Sequence, residues 1–334
     1  MPPIPPDNPT RQQHFVAQTE QRLNALNPGA APENQRIYEM EIVDRDRHIV
    51  RLTPARGRSI ARSLSMFDLY SFDVGADGLR ANFEEVFNRY EGRIEPLTRR
   101  ILGAHAARDA SVSQELFDLF VAKMVNFVRN PYSVVKVLNS FPAMAAHHPA
   151  RPEIYAAYER ILTGRRPQQA HLCAELGISD EQYGAWLRVI FMLLMPLADG
   201  VPVMLEQALG DMFENRRDHL VIHVNAYTTE RCLLSDRGVT SPIEQNPHTV
   251  FDFNLAAHAF VRYAFLDFSA LTGRPIPPGI LAGLHMGPKV ARVEYNTDDL
   301  VSLDVFHRRV IEQSFRSAFC SGPEAYSVTV IRDP

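Results

Sequence analysis

Phe83-Glu84-Glu85-Val86-Phe87-Asn88-Arg89-Tyr90-Glu91-Gly92-Arg93-Ile94-Glu95-Pro96-Leu97-Thr98-Arg99-Arg100-Ile101 is the stretch whose reading decides the fold. Phe83, Phe87, Tyr90, Ile94, Leu97 and Ile101 recur at threes and fours, the spacing that stacks side chains on one face of an α-helix. A long amphipathic helix follows, with Phe87, Tyr90 and Ile94 turned into a core. Glu84, Asn88, Glu91 and Glu95 then fall within a narrow arc along the border of that face, where a polar group can be half-shielded.

Helical spacing continues outward on the C-terminal side, so 79–217 reads as a helical region. Ser111-Val112-Ser113-Gln114 has the form of a capping box, and the helix it opens runs to Arg129-Asn130-Pro131, where proline stops it. Its apolar residues cover most of the circumference, which makes it the central helix. Ser179-Asp180-Glu181-Gln182 opens a further apolar helix through Trp186. On the N-terminal side, Tyr38, Met40 and Ile42 alternate with Glu39 and Glu41, and alternation resumes at His48, Val50 and Leu52 after Asp44-Arg45-Asp46-Arg47. That is a β-hairpin with one apolar face, inside a β-rich 36–75 region. Beyond Arg217 short β-branched and aromatic runs over 219–267 predict a small antiparallel sheet, with a turn at Ser235-Asp236-Arg237-Gly238. Thr297 is placed to cap a last helix over 297–320. The expected fold class is α+β: a mainly helical core with an N-terminal β-hairpin and a small C-terminal antiparallel sheet, forming a single α+β domain over 11–334. Residues 1–10, rich in proline, read as a disordered leader whose removal is silent.

The whole chain bounds the function only loosely. Its 334 residues can bury a substantial core. Lys+Arg 35 against Asp+Glu 39 gives a net charge of -4, which offers no global reason to expect nucleic acid or an anionic membrane. The Met1-Pro2-Pro3-Ile4 start has no secretory signal character, and the apolar run Val189 to Ala198 is half the length of a membrane span. Cys173, Cys232 and Cys320 are odd in number and far apart, forming neither a zinc pattern nor a disulfide framework. A soluble, cytoplasmic protein is the expectation, with partners unknown and no membrane.

Several landmarks resemble, in order, a family of bacterial proteins of about this length catalogued as a domain of unknown function. They are Gln13-His14-Phe15-Val16, where the family favours His-Tyr-Val-Pro; Leu64-Ser65-Met66-Phe67-Asp68-Leu69-Tyr70; the Glu-rich helix from Phe83; Phe127-Val128-Arg129-Asn130-Pro131; and Leu234-Ser235-Asp236-Arg237-Gly238, where the family has a Ser-Asp-Asn-Pro turn. The chain departs from the family pattern at Ala17, at Arg237-Gly238 and at Asp304. The resemblance implies a fold and a set of residues to watch, and no known reaction.

Those polar landmarks supply the candidate site: His14, Glu91 and Arg129, with Glu84 and Asp236 as additional members. Carboxylates on one helix face beside a histidine can hold a divalent metal ion or act as general base and acid, so a metal-dependent hydrolase, acting on a phosphodiester as a phosphodiesterase or nuclease, is one expectation. The plain alternative makes the acidic row a solvated stripe paired with neighbouring arginines. Arg129, ending an apolar helix, must meet an anion: either Glu91 or a substrate phosphate or carboxylate. Asp236 reads as a turn residue before it reads as a ligand, and His14 can equally be held by a backbone carbonyl. The second expectation is therefore a non-catalytic binding or regulatory module in which these residues knit the terminal β elements to the helical core. His219 and His223 share a face but lack a third zinc ligand. The 170–187 segment imitates a helix-turn-helix, yet its second helix opens with Asp180 and Glu181, so sequence-specific DNA binding is not expected.

Overall fold

The computed structural model describes residues 7–75, 80–144, 146–196, 200–215, 218–241, 248–267 and 291–332. Helical residues make up 43% and strand residues 25%, with multi-stranded sheets distributed along the chain, so the expectation of a mainly helical core with one small C-terminal sheet does not hold.

The N-terminal third contains β1 (Gln12–His14), α1 (Gln18–Arg22), β2 (Arg36–Asp44), β3 (Ile49–Ser59), β4 (Ser65–Phe67), β5 (Asp73–Val74) and β6 (Arg80–Ala81). The helical middle runs through α2 (Glu84–Ala107), α3 (Ser113–Arg129), α4 (Val134–Ser140), α5 (Pro152–Thr163), α6 (Gln169–Leu176), α7 (Asp180–Leu194) and α8 (Met204–Glu214). Next come β7 (Asp218–Ala226), β8 (Leu234–Ser235), β9 (Thr249–Ala256), β10 (Ala259–Asp267), β11 (Arg292–Thr297), α9 (Leu300–Gln313), β12 (Ser317–Cys320) and β13 (Thr329–Arg332).

The expected hairpin forms, with Met40 opposite Leu52 and Ile42 opposite Val50. It is not an appendage, however. Its two strands are the middle of a five-stranded sheet ordered β13-β3-β2-β12-β8, in which β13 runs parallel to β3 and the other neighbours are antiparallel. An amphipathic hairpin needs cover for its apolar face and partners for its edges. Both come from the C-terminus: Leu303, Phe306 and Val310 of α9 pack with Met40, Val50 and Leu52 in a second core beside the main one. The last helix is accordingly shorter than expected. It begins at Asp299, whose carboxylate accepts from Val301 N and Ser302 N, rather than at Thr297, and residues 317–320 are a buried strand.

The other large sheet is ordered β11-β7-β10-β9 and is mixed rather than antiparallel, because β11 lies parallel to β7. It packs on the main core, where the Phe120 ring of α3 meets Tyr263 at 4.8 Å and Phe253 at 5.5 Å between centroids. α3 is buried on nearly all sides, as its sequence implied, and ends at Asn130. Its start differs: the backbone turns helical only at Ser113, and the Ser111 box is not formed. The Ser179 box at α7 is complete, and α6 with α7 makes a hairpin whose Tyr183, Trp186 and Leu187 are fully buried. No helix among the described residues is long and apolar enough to cross a membrane.

The leader departs from expectation where it is described. Residues 1–6 lie outside the described residues, but Asp7 accepts from Arg80 N at 3.1 Å and Asn8 N donates to Arg80 O at 2.8 Å, so 7–10 is pinned to the start of the helical region.

Candidate functional site

Helical periodicity sets the rotation of α2. Phe87, Tyr90, Ile94 and Ile101 are buried, Phe87 fully so, and its ring sits edge-on to Tyr70 at 4.8 Å. Glu84 and Glu91 therefore lie at the border, half-buried, while Asn88 is exposed and Glu95 pairs with Arg99 at the surface. Opposite them runs the N-terminal segment. β1 pairs with β4 and leads into α1, whose Glu20 and Gln21 are fully buried against α3.

A continuous polar network joins these elements. Lys123 of α3 pairs with Glu20 at 2.5 Å and donates to Asn254 O at 2.6 Å, and both side chains have no exposure to solvent. The second Glu20 oxygen accepts from Asn126 Nδ2 at 2.7 Å, and Asn126 Oδ1 accepts from Arg129 Nη2 at 2.8 Å. Arg129 completes the chain with a charge-assisted bond to Glu91, the partner its position implied. Its guanidinium also lies over the Phe87 ring, 4.9 Å from the centroid. Burial works against the Arg129 charge, but Glu91, Tyr70 and Glu84 together outweigh it and hold the side chain protonated. In the Glu20–Lys123 pair burial pushes the carboxyl up and the ammonium down, and each partner opposes the other's shift.

His14 sits beside this network and feels the charges of Glu91 and Arg129. Its Nδ1 meets Ser63 O at 3.0 Å and its Nε2 meets the Gln18 amide nitrogen at 2.6 Å. A carbonyl can only accept, so Nδ1 carries the proton and Nε2 receives one from Gln18, which fixes a neutral tautomer with both nitrogens in use. Burial lowers its pKa to about 4, with Arg129 and Arg22 adding to the effect against Ser63 and Glu91. Both ring nitrogens are thus engaged within the protein, and a substrate would have to displace Gln18 to reach Nε2.

Glu84 is different in kind. Burial raises its pKa to about 7, Arg129 pulling it back and Glu91 adding to the rise, and its Oε1 has no hydrogen-bond partner among the described residues. Glu84 is thus a carboxyl that can exchange a proton near neutrality.

Asp236 does not join the group. Its carboxylate accepts from the backbone N–H groups of Phe315 at 2.7 Å, Arg316 at 2.7 Å and Ser317 at 3.0 Å, so it fixes the link between α9 and β12. The turn expected there is present, with Gly238 N donating to Ser235 O across a Gly238 φ of +74°. The structure thus brings His14, Glu84, Glu91 and Arg129 together and commits the Asp236 carboxylate elsewhere, although the Asp236 backbone carbonyl accepts from Asn130 Nδ2 at 2.8 Å. His223 is occupied by Glu294 at 3.1 Å. Among the described residues no three His, Cys, Asp or Glu side chains converge as metal ligands would.

Sequence reasoning missed Glu20, Lys123 and Asn126, the middle of the network. Lys123 carried a signal, because it interrupts Val121-Ala122 and Met124-Val125 on a helix apolar all round, where a lone charge must be paired. Glu20 carried none. No family model, curated protein or solved structure matches the chain.

Proposed function

We propose that this protein is a non-catalytic binding or regulatory module, in which the polar landmarks hold the N-terminal segment and the terminal strands to the helical core. The observation that carries this reading is that His14, Glu91, Arg129 and Asp236 all have internal partners, formed by residues from distant parts of the chain. Groups so engaged supply position and rigidity, and a ligand would have to displace protein partners to reach them. The buried free thiols of Cys173, Cys232 and Cys320 fit a reducing cytoplasm. The resemblance to an uncharacterised bacterial family is compatible with this reading and adds no reaction to it.

The rival reading, a metal-dependent hydrolase acting on a phosphodiester, is favoured by the Glu84 carboxyl alone. Two measurements separate them. Under the module reading Glu91→Gln and Arg129→Met each lower the melting temperature by about 4–7 °C, because breaking a buried pair costs about 3–5 kcal/mol. Calorimetric titration with Mg²⁺, Mn²⁺ and Zn²⁺ should show no specific binding. Variants with the wild-type melting temperature, or a metal bound stoichiometrically and lost with Glu84→Gln, would overturn the proposal.

A further inference from the structure

Away from the polar network, α3, α4, α8 and the segment Arg237 to Ser241 after β8 line a cleft of ≈ 610 Å³. Its body is apolar, formed by Met124, Phe127, Phe141, Leu209, Met212 and Phe251. The size falls within the range of small-molecule sites, about 300–1,000 Å³, and two methionines give it adaptable walls.

Three donors line this cleft without a hydrogen-bond or ion-pair partner for the side-chain atoms in question among the described residues, although the Arg237 guanidinium lies 5.8 Å from the Phe315 ring centroid. Ser133 is 1% exposed, and its hydroxyl has no hydrogen-bond partner among the described residues. Arg237 has a buried, unpartnered Nε, and neither it nor Lys136 forms a salt bridge among the described residues. Among the described residues no Asp or Glu lines the cleft. Asp236 is adjacent in sequence and partly offsets Arg237, but its oxygens are taken by three backbone N–H groups. Burial and the Arg237 charge both push the Lys136 pKa down, as expected for two cations sharing a site without an anion. The second large cavity, ≈ 620 Å³ between the hairpin and the α9–β12 link, contrasts with it: Arg58 there is paired with Glu39 and Arg316 with Glu175.

Two cations without an ion-pair partner among the described residues and a buried, unbonded hydroxyl beside an apolar cleft define a ligand with matching parts. We propose that the cleft binds an amphipathic carboxylate, its alkyl or aryl body between α3 and α8 and its head on Lys136, Arg237 and Ser133. The proposal rests on the binding-module reading in that it names what the module binds. Desolvated donors left unpaired cost about 1–3 kcal/mol each, so a carboxylate that satisfies several gains specificity over a neutral analogue of the same length.

The test is isothermal titration of the full chain at pH 7.5 with decanoate and decyltrimethylammonium, each below its critical micelle concentration, and with decan-1-ol below its solubility limit. Decanoate should bind one per chain and at least about tenfold more tightly than the alcohol, with no binding of the cation. Lys136→Met should reduce or abolish that advantage, bringing decanoate affinity down toward that of the alcohol. Ala208, exposed at the cleft, offers a second variant: Ala208→Trp should block both ligands without disturbing the core. No decanoate binding, equal affinity for acid and alcohol, or binding that survives Ala208→Trp would overturn the proposal. None of these results moves the melting temperatures of the Glu91 and Arg129 variants, so failure of the cleft is distinguishable from failure of the module reading.

Discussion

Replacing Glu84 with Gln should change how stability depends on pH, and the direction follows from where the carboxyl sits. In the unfolded chain its pKa is 4.5; in the folded protein burial lifts it to about 7. Between those values the folded state keeps a proton that the unfolded state has released. The associated stability is therefore fully present below pH 4.5 and lost as pH rises through 7. A move from 4.5 to about 7 corresponds to at most about 3 kcal/mol. His14 acts in the opposite sense, because its pKa falls from 6.5 to about 4: its contribution is present above 6.5 and lost as pH drops through 4. The two slopes offset each other over much of the same window, so the wild-type curve alone is nearly uninformative. The difference between variant and wild type isolates the group. Urea unfolding followed by fluorescence of Trp186 at five pH values from 4 to 8 should show Glu84→Gln gaining on wild type by up to about 3 kcal/mol across the range, and His14→Asn should show the reverse slope. A Glu84→Gln difference that stays constant to within about 0.5 kcal/mol would refute the burial argument, and with it the assignment of Glu84 as the proton-exchanging member of the network.

Two further outcomes follow from the buried pairs. Lys123→Met alone should cost about 3–5 kcal/mol by stranding Glu20, whereas Lys123→Met with Glu20→Leu should recover most of that loss; a double variant as unstable as the single one would show that the charge pair is not what matters there. Asp236→Asn should cost about 1–3 kcal/mol and loosen amide protection at Phe315, Arg316 and Ser317 in hydrogen exchange, since an amide oxygen cannot serve three backbone donors as a carboxylate does; unchanged protection at those three positions would argue against the clamp.

Local periodicity made some parts of this molecule legible. The rotation of α2, the centrality of α3, the β2–β3 hairpin and the Ser179 box are all consequences of side-chain spacing within 20 residues, and they match the structure. Pairing between distant segments has no such signature. Nothing in Ser317 to Cys320 or Thr329 to Arg332 announces that these short runs flank the hairpin, and the apolar residues before them suggested that the helix simply continued. The candidate site divides in the same way. Arg129 was readable as a charge needing an anion, and Glu91 as its partner, because helix geometry places both. Glu20 was not readable, since a five-residue helix has too little pattern to reveal which side is inside.

The strand order β13-β3-β2-β12-β8 also bears on how the protein is made. β2 and β3 are complete by Ser59, while their outer partners begin only at Ser317 and Thr329. At roughly 5–20 residues per second, a ribosome leaves the finished hairpin waiting on the order of 10–60 s for the strands that flank it. Throughout that interval its apolar face and both hydrogen-bonding edges are open to other chains. The early hairpin is thus exposed in the nascent protein, and strands synthesised about 260 residues after Ser59, from Ser317 on, are the ones that close it.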